Sequence, residues 1–147
     1  MKLASLYAGI ATVILLAGCA ASGPKLAEMR STMPQLKPDQ GRIFFYRNSS
    51  MLGAAMQPNI MLNGRVVGES KPGGFFYVDD APGPKEVATS TEVERKLTFT
   101  LERGQTRYVR TAVGMGIAVG RVYAELVDNA TGEKELQETS YTGSPAR

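Results

Sequence analysis

Apolar and polar residues alternate through much of the chain after residue 40, which is the period-two pattern of half-buried β-strands. The alternation is clearest in residues 94–102, where Leu97, Phe99 and Leu101 share one side and threonine and charged residues occupy the other. This segment therefore predicts a strand that turns these three side chains toward a core.

Residues 41–47 (GRIFFYR) predict the first strand, since aromatic and β-branched side chains dominate the segment. Ile43 and Phe45 fall on one face of that strand, and Phe44 and Tyr46 fall on the other. Because both faces are apolar, we expect both to be covered by other parts of the chain.

An Asn63-Gly64 pair separates two short apolar runs, residues 60–62 and 65–67. Asn-Gly is the preferred two-residue loop of a β-hairpin, because both of its positions adopt positive φ. Further strands are predicted over residues 73–80, 85–91, 105–113 (with Val109 facing inward) and 121–128.

Seven or eight short strands separated by turns are typical of an all-β domain, here an antiparallel β-sandwich over residues 41–138. Residues 129–132 (NATG) predict a turn. The polar residues 133–139 leave two alternatives open, a short edge strand and a helical turn. Residues 139–147 are expected to form a disordered tail.

The N-terminus has a different character. Lys2 is followed by an uncharged, mostly apolar stretch that ends in Leu16-Ala17-Gly18-Cys19. The stretch is shorter than the about 20 apolar residues of a membrane-spanning helix. It resembles the signal of bacterial lipoproteins, with residues 1–18 removed by cleavage between Gly18 and Cys19. The competing interpretation, a plain secretory signal before a stray cysteine, would leave a lone thiol in an oxidising compartment.

This resemblance implies a lipid anchor. Cys19 would carry a diacylglycerol and an acyl chain, and two or more chains give stable membrane attachment. Ala20 follows the cysteine where lipoproteins kept in the inner membrane have aspartate. The resemblance therefore implies an outer-membrane protein that faces the periplasm and whose only attached group is the lipid.

Residues 19–40 are expected to form a lipidated tether, and their prolines exclude a long helix. A short helix over residues 25–33 would place Leu26, Met29 and Met33 on one face. That helix would either dock on the domain edge or float as a spacer, and three large apolar side chains favour docking.

Charge and composition exclude several classes of function. Without residues 1–18 the chain has 16 basic and 14 acidic side chains, because Lys2 is one of the 17 basic residues in the whole sequence. A net charge of +2 gives no indication of nucleic-acid binding. The chain lacks histidine, the commonest general base and metal ligand, and its single cysteine excludes an intramolecular disulfide.

The remaining acid–base candidates are carboxylates, and none forms a convincing catalytic pair. Adjacent residues Asp79 and Asp80 point to opposite faces of a strand, so they cannot easily act as a dyad. No hydroxyl has a candidate base beside it. We therefore expect a protein that is not an enzyme. The carboxylates considered are Asp79, Asp80, Glu92, Glu94, Glu125 and Asp128.

Two non-catalytic hypotheses remain. An anion site built from Arg107, Arg110 and Arg121 would bind a lipid headgroup, a cell-wall carboxylate or an acidic partner. The alternative for these arginines is a structural ion pair with a nearby carboxylate. The carboxylates in question are Asp79, Asp80 and Glu125.

The second hypothesis is a structural or interaction module of the cell envelope. Residues 48–59 and the glycine-rich residues 114–120 predict loops that contain large apolar side chains. Together they would form an exposed patch for an envelope protein partner, or they would cap the open end of the sandwich. The side chains concerned are Met51, Leu52, Met56, Met115 and Ile117.

Several segments together resemble one family of Gram-negative lipoproteins of unknown function, over about residues 1–138. They are GRIFFYR, IMLNGRVVGES, PGGFFYVDDAPG, TSTEVERKLTF and YVRTAVGMGIAVGRVYAELV. That family has no established activity to transfer. FFYVDDAPGPKEV is also distantly similar to PEGA-like and transthyretin-like sandwich domains, although residues 81–85 (APGPK) depart from their Pro-Gly-x-Tyr turn.

Overall fold

The computed structural model describes residues 20–114 and 120–143. Within them the chain forms two helices and nine strands. They are α1 (Leu26–Met29), β1 (Gly41–Tyr46), β2 (Asn59–Leu62), β3 (Arg65–Glu69), β4 (Gly74–Asp80), β5 (Gly83–Thr89), β6 (Glu92–Leu101), β7 (Thr106–Gly114), β8 (Arg121–Val127), α2 (Asn129–Leu136) and β9 (Ser140–Tyr141).

The strands form two sheets that face each other in a sandwich-like arrangement. Sheet A has five strands in the order β8-β7-β1-β4-β9, and sheet B has four in the order β3-β2-β5-β6. The predicted hairpin joins β2 to β3, with φ of 48° at Asn63 and 79° at Gly64. The mostly-β, two-sheet expectation is confirmed.

The main core lies between the sheets. Phe45 of β1 stacks on Phe76 of β4 with ring centroids 5.1 Å apart, and both are almost completely buried. Leu97 and Phe99, predicted to face inward, pack against this core but stay partly exposed. Three residues predicted to face inward are also buried members of this core, namely Ile43, Leu101 and Val109. The remaining buried members are Ile60, Leu62, Val87 and Ala124.

A second apolar cluster covers the outer face of sheet A. Leu26 of α1 and Leu136 of α2 pack there on the aromatic side chains of the sheet. Phe44 stacks on Tyr108 with ring centroids 5.6 Å apart. The expectation that both faces of β1 are covered is therefore confirmed, one by sheet B and the other by helices.

The prediction that all strands pair in antiparallel orientation is wrong. Strand β1 pairs with β4 in antiparallel and with β7 in parallel orientation, and β4 pairs with β9 in parallel orientation. Side chains alternate between the two faces in both kinds of pairing. The hydrophobic pattern therefore cannot distinguish them.

The C-terminal expectations also need correction. Residues 129–132 are the start of α2 rather than a turn, and Asp128 caps this helix by accepting a hydrogen bond from the Thr131 backbone nitrogen at 2.9 Å. Of the two alternatives for residues 133–139, the helical one is correct. Residues 139–143 are not a disordered tail, because Ser140 and Tyr141 pair with β4.

The N-terminal segment is docked, as the apolar face of its helix indicated. Leu26 is buried, and Lys25 forms an isolated β-bridge with Ser140. None of the helices within residues 20–114 and 120–143 is long and apolar enough to cross a membrane. The signal segment with Gly18 and Cys19, the loop residues Met115 and Ile117, and residues 144–147 lie outside the described residues.

Candidate functional site

Arg110 of β7 is held in an ion-pair network on the helix-covered face of sheet A. Its Nε donates to Glu125 Oε1 of β8 at 2.7 Å, and its Nη1 donates to Glu135 Oε1 of α2 at 2.7 Å. Two carboxylates thus compensate one guanidinium. Burial acts to lower the pKa of Arg110, but the hydrogen bond to Glu125 and the charges of Glu125 and Glu135 outweigh it, so the pKa is raised. This geometry corresponds to the structural ion pair that the sequence offered as the alternative.

The network continues to a buried tyrosine. Tyr46 of β1 donates its hydroxyl to Glu135 Oε2 at 2.5 Å. Burial, followed by this hydrogen bond, raises the pKa of Tyr46. The network therefore ties α2 to three strands of sheet A. Glu135 was missed at the sequence level because no helix was predicted there.

The three arginines of the anion-site hypothesis are not brought together. Arg107 and Arg110 are three residues apart on β7, so their side chains leave opposite faces. Arg121 pairs with Gly114 at the far end of β7. Gly114 is seven residues from Arg107, which corresponds to about 23 Å along an extended strand. A single anion site made of all three therefore does not exist in this fold.

Arg121 and Arg107 also differ in their partners. Arg121 Nη1 lies 3.3 Å from Glu92 Oε2. Arg107 Nη2 makes a long contact of 3.4 Å with the carbonyl oxygen of Thr100, and its Nε is buried with no hydrogen-bond partner in the described part of the chain. Neither arrangement forms a recessed cationic site.

Five of the six candidate acid–base carboxylates have structural partners. Asp79 Oδ1 forms an ion pair with Arg42 Nε at 2.6 Å, and Asp80 Oδ2 forms one with Lys85 Nζ at 2.7 Å. Asp79 and Asp80 thus point to opposite faces, as expected. Glu92 and Glu125 bind the arginines already described, Asp128 caps α2, and Glu94 lies exposed at the start of β6. Residues 20–114 and 120–143 hold no group of three or more acidic or cysteine side chains placed to bind a metal.

Arg47, at the end of β1, is a buried cation that sequence reasoning missed. Its Nη1 donates to the carbonyl oxygens of Met56 at 2.6 Å and Ser70 at 3.2 Å, and its Nη2 donates to that of Gly53 at 2.8 Å. Burial lowers its pKa. The guanidinium thereby fastens the 48–58 loop to the sandwich through backbone carbonyls. Its only sequence signal is a charge that directly follows an apolar strand.

The apolar side chains of the 48–58 loop divide between the two predicted roles. Met56 packs its methyl group beside Gly53 and Gly120, so it caps the end of the sandwich. Met51 and Leu52 instead extend into solvent, with 92% and 57% of their surface exposed. This loop therefore presents an apolar tip.

A second exposed apolar feature crosses the outer face of sheet B. Met61 is the register partner of Val66 on one side and of Ala88 on the other, so these side chains share a face. Val93 lies beside Met61 and Ala88 around a shallow depression. Val66 and Val93 are 50% and 57% exposed. We call these four residues the apolar row.

The apolar row has a polar border, and neither helix of the described residues covers it. Lys96 Nζ pairs with Glu86 Oε1 at 2.9 Å next to the depression. Both of these helices pack on sheet A instead. An apolar strip with a charged border is the usual composition of a protein-binding surface.

One family model identifies the family of this chain, and neither that family nor the relative described below has a stated activity. An uncharacterized protein of Haemophilus influenzae is 28% identical over 131 residues, which cover 86% of this chain and 77% of that protein. No solved structure matches the chain significantly. Residues 37–122, more than half of the chain, match a family described as "Protein of unknown function (DUF2846)". The chain belongs to this DUF2846 family.

Proposed function

We propose that this protein is a lipid-anchored module of the bacterial envelope that binds a protein partner and does not catalyse a reaction. The anchor is the diacylglycerol and acyl chain on Cys19, and the module faces the periplasm from the outer membrane. The observation that carries the binding function is the uncovered apolar row on sheet B.

The sequence supports the anchor. Lys2, an apolar stretch and Leu16-Ala17-Gly18-Cys19 follow one another in the order of a lipoprotein signal. Ala21 and Pro24, shortly after the cysteine, form backbone hydrogen bonds with Pro72 and Tyr141 of the domain. An anchored cysteine would therefore hold the domain at the membrane surface.

The apolar row supports partner binding. Burying one valine side chain contributes about 1.5–3 kcal/mol. Val66 and Val93 each leave about half of their surface in water, and Met61 and Ala88 lie between them on β2 and β5. A partner that covered the row would bury this surface, and the Lys96–Glu86 pair would lie at the polar border.

The engagement of the carboxylates supports a non-catalytic role. Glu125 and Asp79 hold arginines and Asp80 holds a lysine. A general base must reach its substrate's proton within hydrogen-bond distance. Groups already fixed by cations on a folded surface are poorly available for that task.

The anchor is tested by fractionation of the envelope. Cys19→Ser should remove the lipid and release the protein from membranes or stop its processing. Ala20→Asp keeps the cysteine and should move the protein from the outer to the inner membrane. The anchor proposal fails if Cys19→Ser fractionates with the outer membrane as the parent does.

Partner binding is tested by photo-crosslinking in intact envelopes. A photoreactive residue at Val66 or Val93 should give a discrete crosslinked product. The same residue at Thr98, which is exposed on β6, is the matched control and should give none. Val93→Glu should abolish the product formed from position 66 without lowering the melting temperature. Equal products from positions 66, 93 and 98 would contradict a specific surface.

A further inference from the structure

We infer that the end of the domain that carries the 48–58 loop lies against the membrane that holds the anchor, with Met51 and Leu52 in the lipid headgroup region. This inference rests on the proposed lipid anchor at Cys19. It assigns a membrane-binding surface to the domain itself, in addition to the covalent lipid.

The chain after Cys19 is bound to the domain by backbone hydrogen bonds. The Ala21 backbone nitrogen donates to the Pro72 carbonyl oxygen at 3.2 Å, and the Tyr141 nitrogen donates to the Pro24 carbonyl oxygen at 2.8 Å. Gly23 runs so close to Tyr141 that a Cβ there would collide with the Tyr141 carbonyl oxygen. Residues 21–25 therefore behave as an added edge segment of sheet A.

Only a short stretch of chain separates the anchored cysteine from this attachment. Cys19 lies two residues before Ala21, and an extended chain spans at most about 3.6 Å per residue. The anchored cysteine is therefore within about 7 Å of a point fixed on the domain. A domain on so short a tether cannot move freely away from the bilayer.

The 48–58 loop lies at the same end of the domain as this attachment. Pro72, which holds Ala21, is followed by Gly73, and a Cβ at Gly73 would lie 2.6 Å from Ser49 Oγ. Ser49 is two residues before Met51 in the loop. The neighbouring Arg47 nitrogen also donates to the Gly74 carbonyl oxygen at 3.0 Å. The attachment point and the loop are thus adjacent.

The backbone of the 48–58 loop is fixed by hydrogen bonds from a buried side chain. The buried guanidinium of Arg47 binds the carbonyl oxygens of Gly53 and Met56, so the backbone after the tip is fixed. The two most exposed apolar side chains of the described loop, Met51 and Leu52, then project from an ordered support. Rigid presentation lowers the entropy cost of inserting them.

The bilayer is favoured as the occupant because the anchor places it there. Any protein partner would have to enter the narrow space between this end and the membrane surface. The apolar row lies on the outer face of sheet B and crosses its four strands, from Val66 on β3, which lines a depression together with Ala21 and Gly23, to Val93 on β6. A protein partner on the row would therefore approach from the side of sheet B, with the Val66 end next to the anchored segment.

The test uses the full protein, purified from membranes with its lipid and reconstituted into vesicles of phosphatidylethanolamine and phosphatidylglycerol. Cys19 is the only cysteine and its thiol is occupied by lipid, so Leu52→Cys and Met51→Cys each provide one site for an environment-sensitive fluorophore. Arg103→Cys is the control, because Arg103 is exposed in the turn between β6 and β7 at the opposite end of the sandwich. Dibrominated phosphatidylcholine serves as the lipid-phase quencher.

We expect several-fold stronger quenching by brominated lipid at positions 52 and 51 than at position 103, with a blue shift of the emission. Equal, weak quenching at all three positions in vesicle-bound protein would overturn the inference and leave the anchor intact. A fluorophore that is shielded from water but not quenched by brominated lipid would indicate a second copy of the chain on the loop and also overturn it. Protein that fails to float with the vesicles would refute the anchor and, with it, the inference.

Discussion

Replacement of Phe45 by alanine should test where the core of this domain lies. Phe45 is fully buried between the sheets and stacks on Phe76. Truncating such a residue typically costs about 3–5 kcal/mol, because the transfer free energy is lost and a cavity remains. The free energy of unfolding of a folded protein is typically about 5–15 kcal/mol. Phe45→Ala should therefore remove a large part of the stability.

Phe99→Ala is the matched control. It deletes the same atoms from β6, but Phe99 is partly exposed at the margin of the same core. Less surface returns to water on truncation and solvent can fill the space, so the loss should be less than half of that for Phe45→Ala. The alternation of the sequence alone treats the two positions alike.

The measurement is equilibrium unfolding in urea of the chain from Ala20 onward, followed by circular dichroism. With a slope of about 2 kcal/mol per molar, the loss expected for Phe45→Ala shifts the midpoint by about 2 M. The parent spectrum should be dominated by strand. The assignment of the core is refuted if Phe99→Ala costs as much as Phe45→Ala.

Three further perturbations have defined signs. Gly132→Ala should lower the melting temperature, because a Cβ there would collide with the ring of Tyr108. This collision opposes the preference of a helix for alanine over glycine, about 1 kcal/mol, and a rise in the melting temperature would contradict the packing of α2. Burial raises the pKa of Tyr46. Burial and the neighbouring Glu133 raise the pKa of Tyr108 to about 12. Below the unfolded tyrosine pKa of about 10 both neutral phenols stabilise the fold, and this contribution is lost as the pH rises above it. Melting temperatures across this alkaline range should fall, and the fall should be shallower in Tyr46→Phe. Gly23→Ala should release residues 21–25 from Tyr141 and expose them to protease while the melting temperature of the sandwich changes little; unchanged digestion would show that the segment is held otherwise.

Local features of the sequence determined most of the strands. Alternation predicted β6, and the strand-forming composition of residues 41–47 predicted β1. Strands β4, β5, β7 and β8 were also predicted with small shifts at their ends, and Asn63-Gly64 predicted the hairpin between β2 and β3. These signals act within a few residues, through the pleat of the strand and the φ values that a turn requires. They also showed that both faces of β1 need cover.

Tertiary structure decided the arrangement of those strands and the cover on sheet A. Parallel pairing of β1 with β7 leaves no mark in the alternation. Helix α2 has little apolar character apart from Leu136, so its formation depends on the Asp128 cap and on contact with the sheet. Helix propensity is a weak force that packing routinely overrides.

The partners of charged side chains were likewise settled by the fold. The sequence proposed an anion site for Arg110 and named Glu125 among the competing partners, but Glu135 reaches it only because α2 folds over sheet A. Arg47 carries no local signal of its three carbonyl partners, which come from separate parts of the chain. Charge type is a property of sequence, whereas charge pairing requires groups distant in sequence to come within hydrogen-bond distance, and only tertiary packing brings them there.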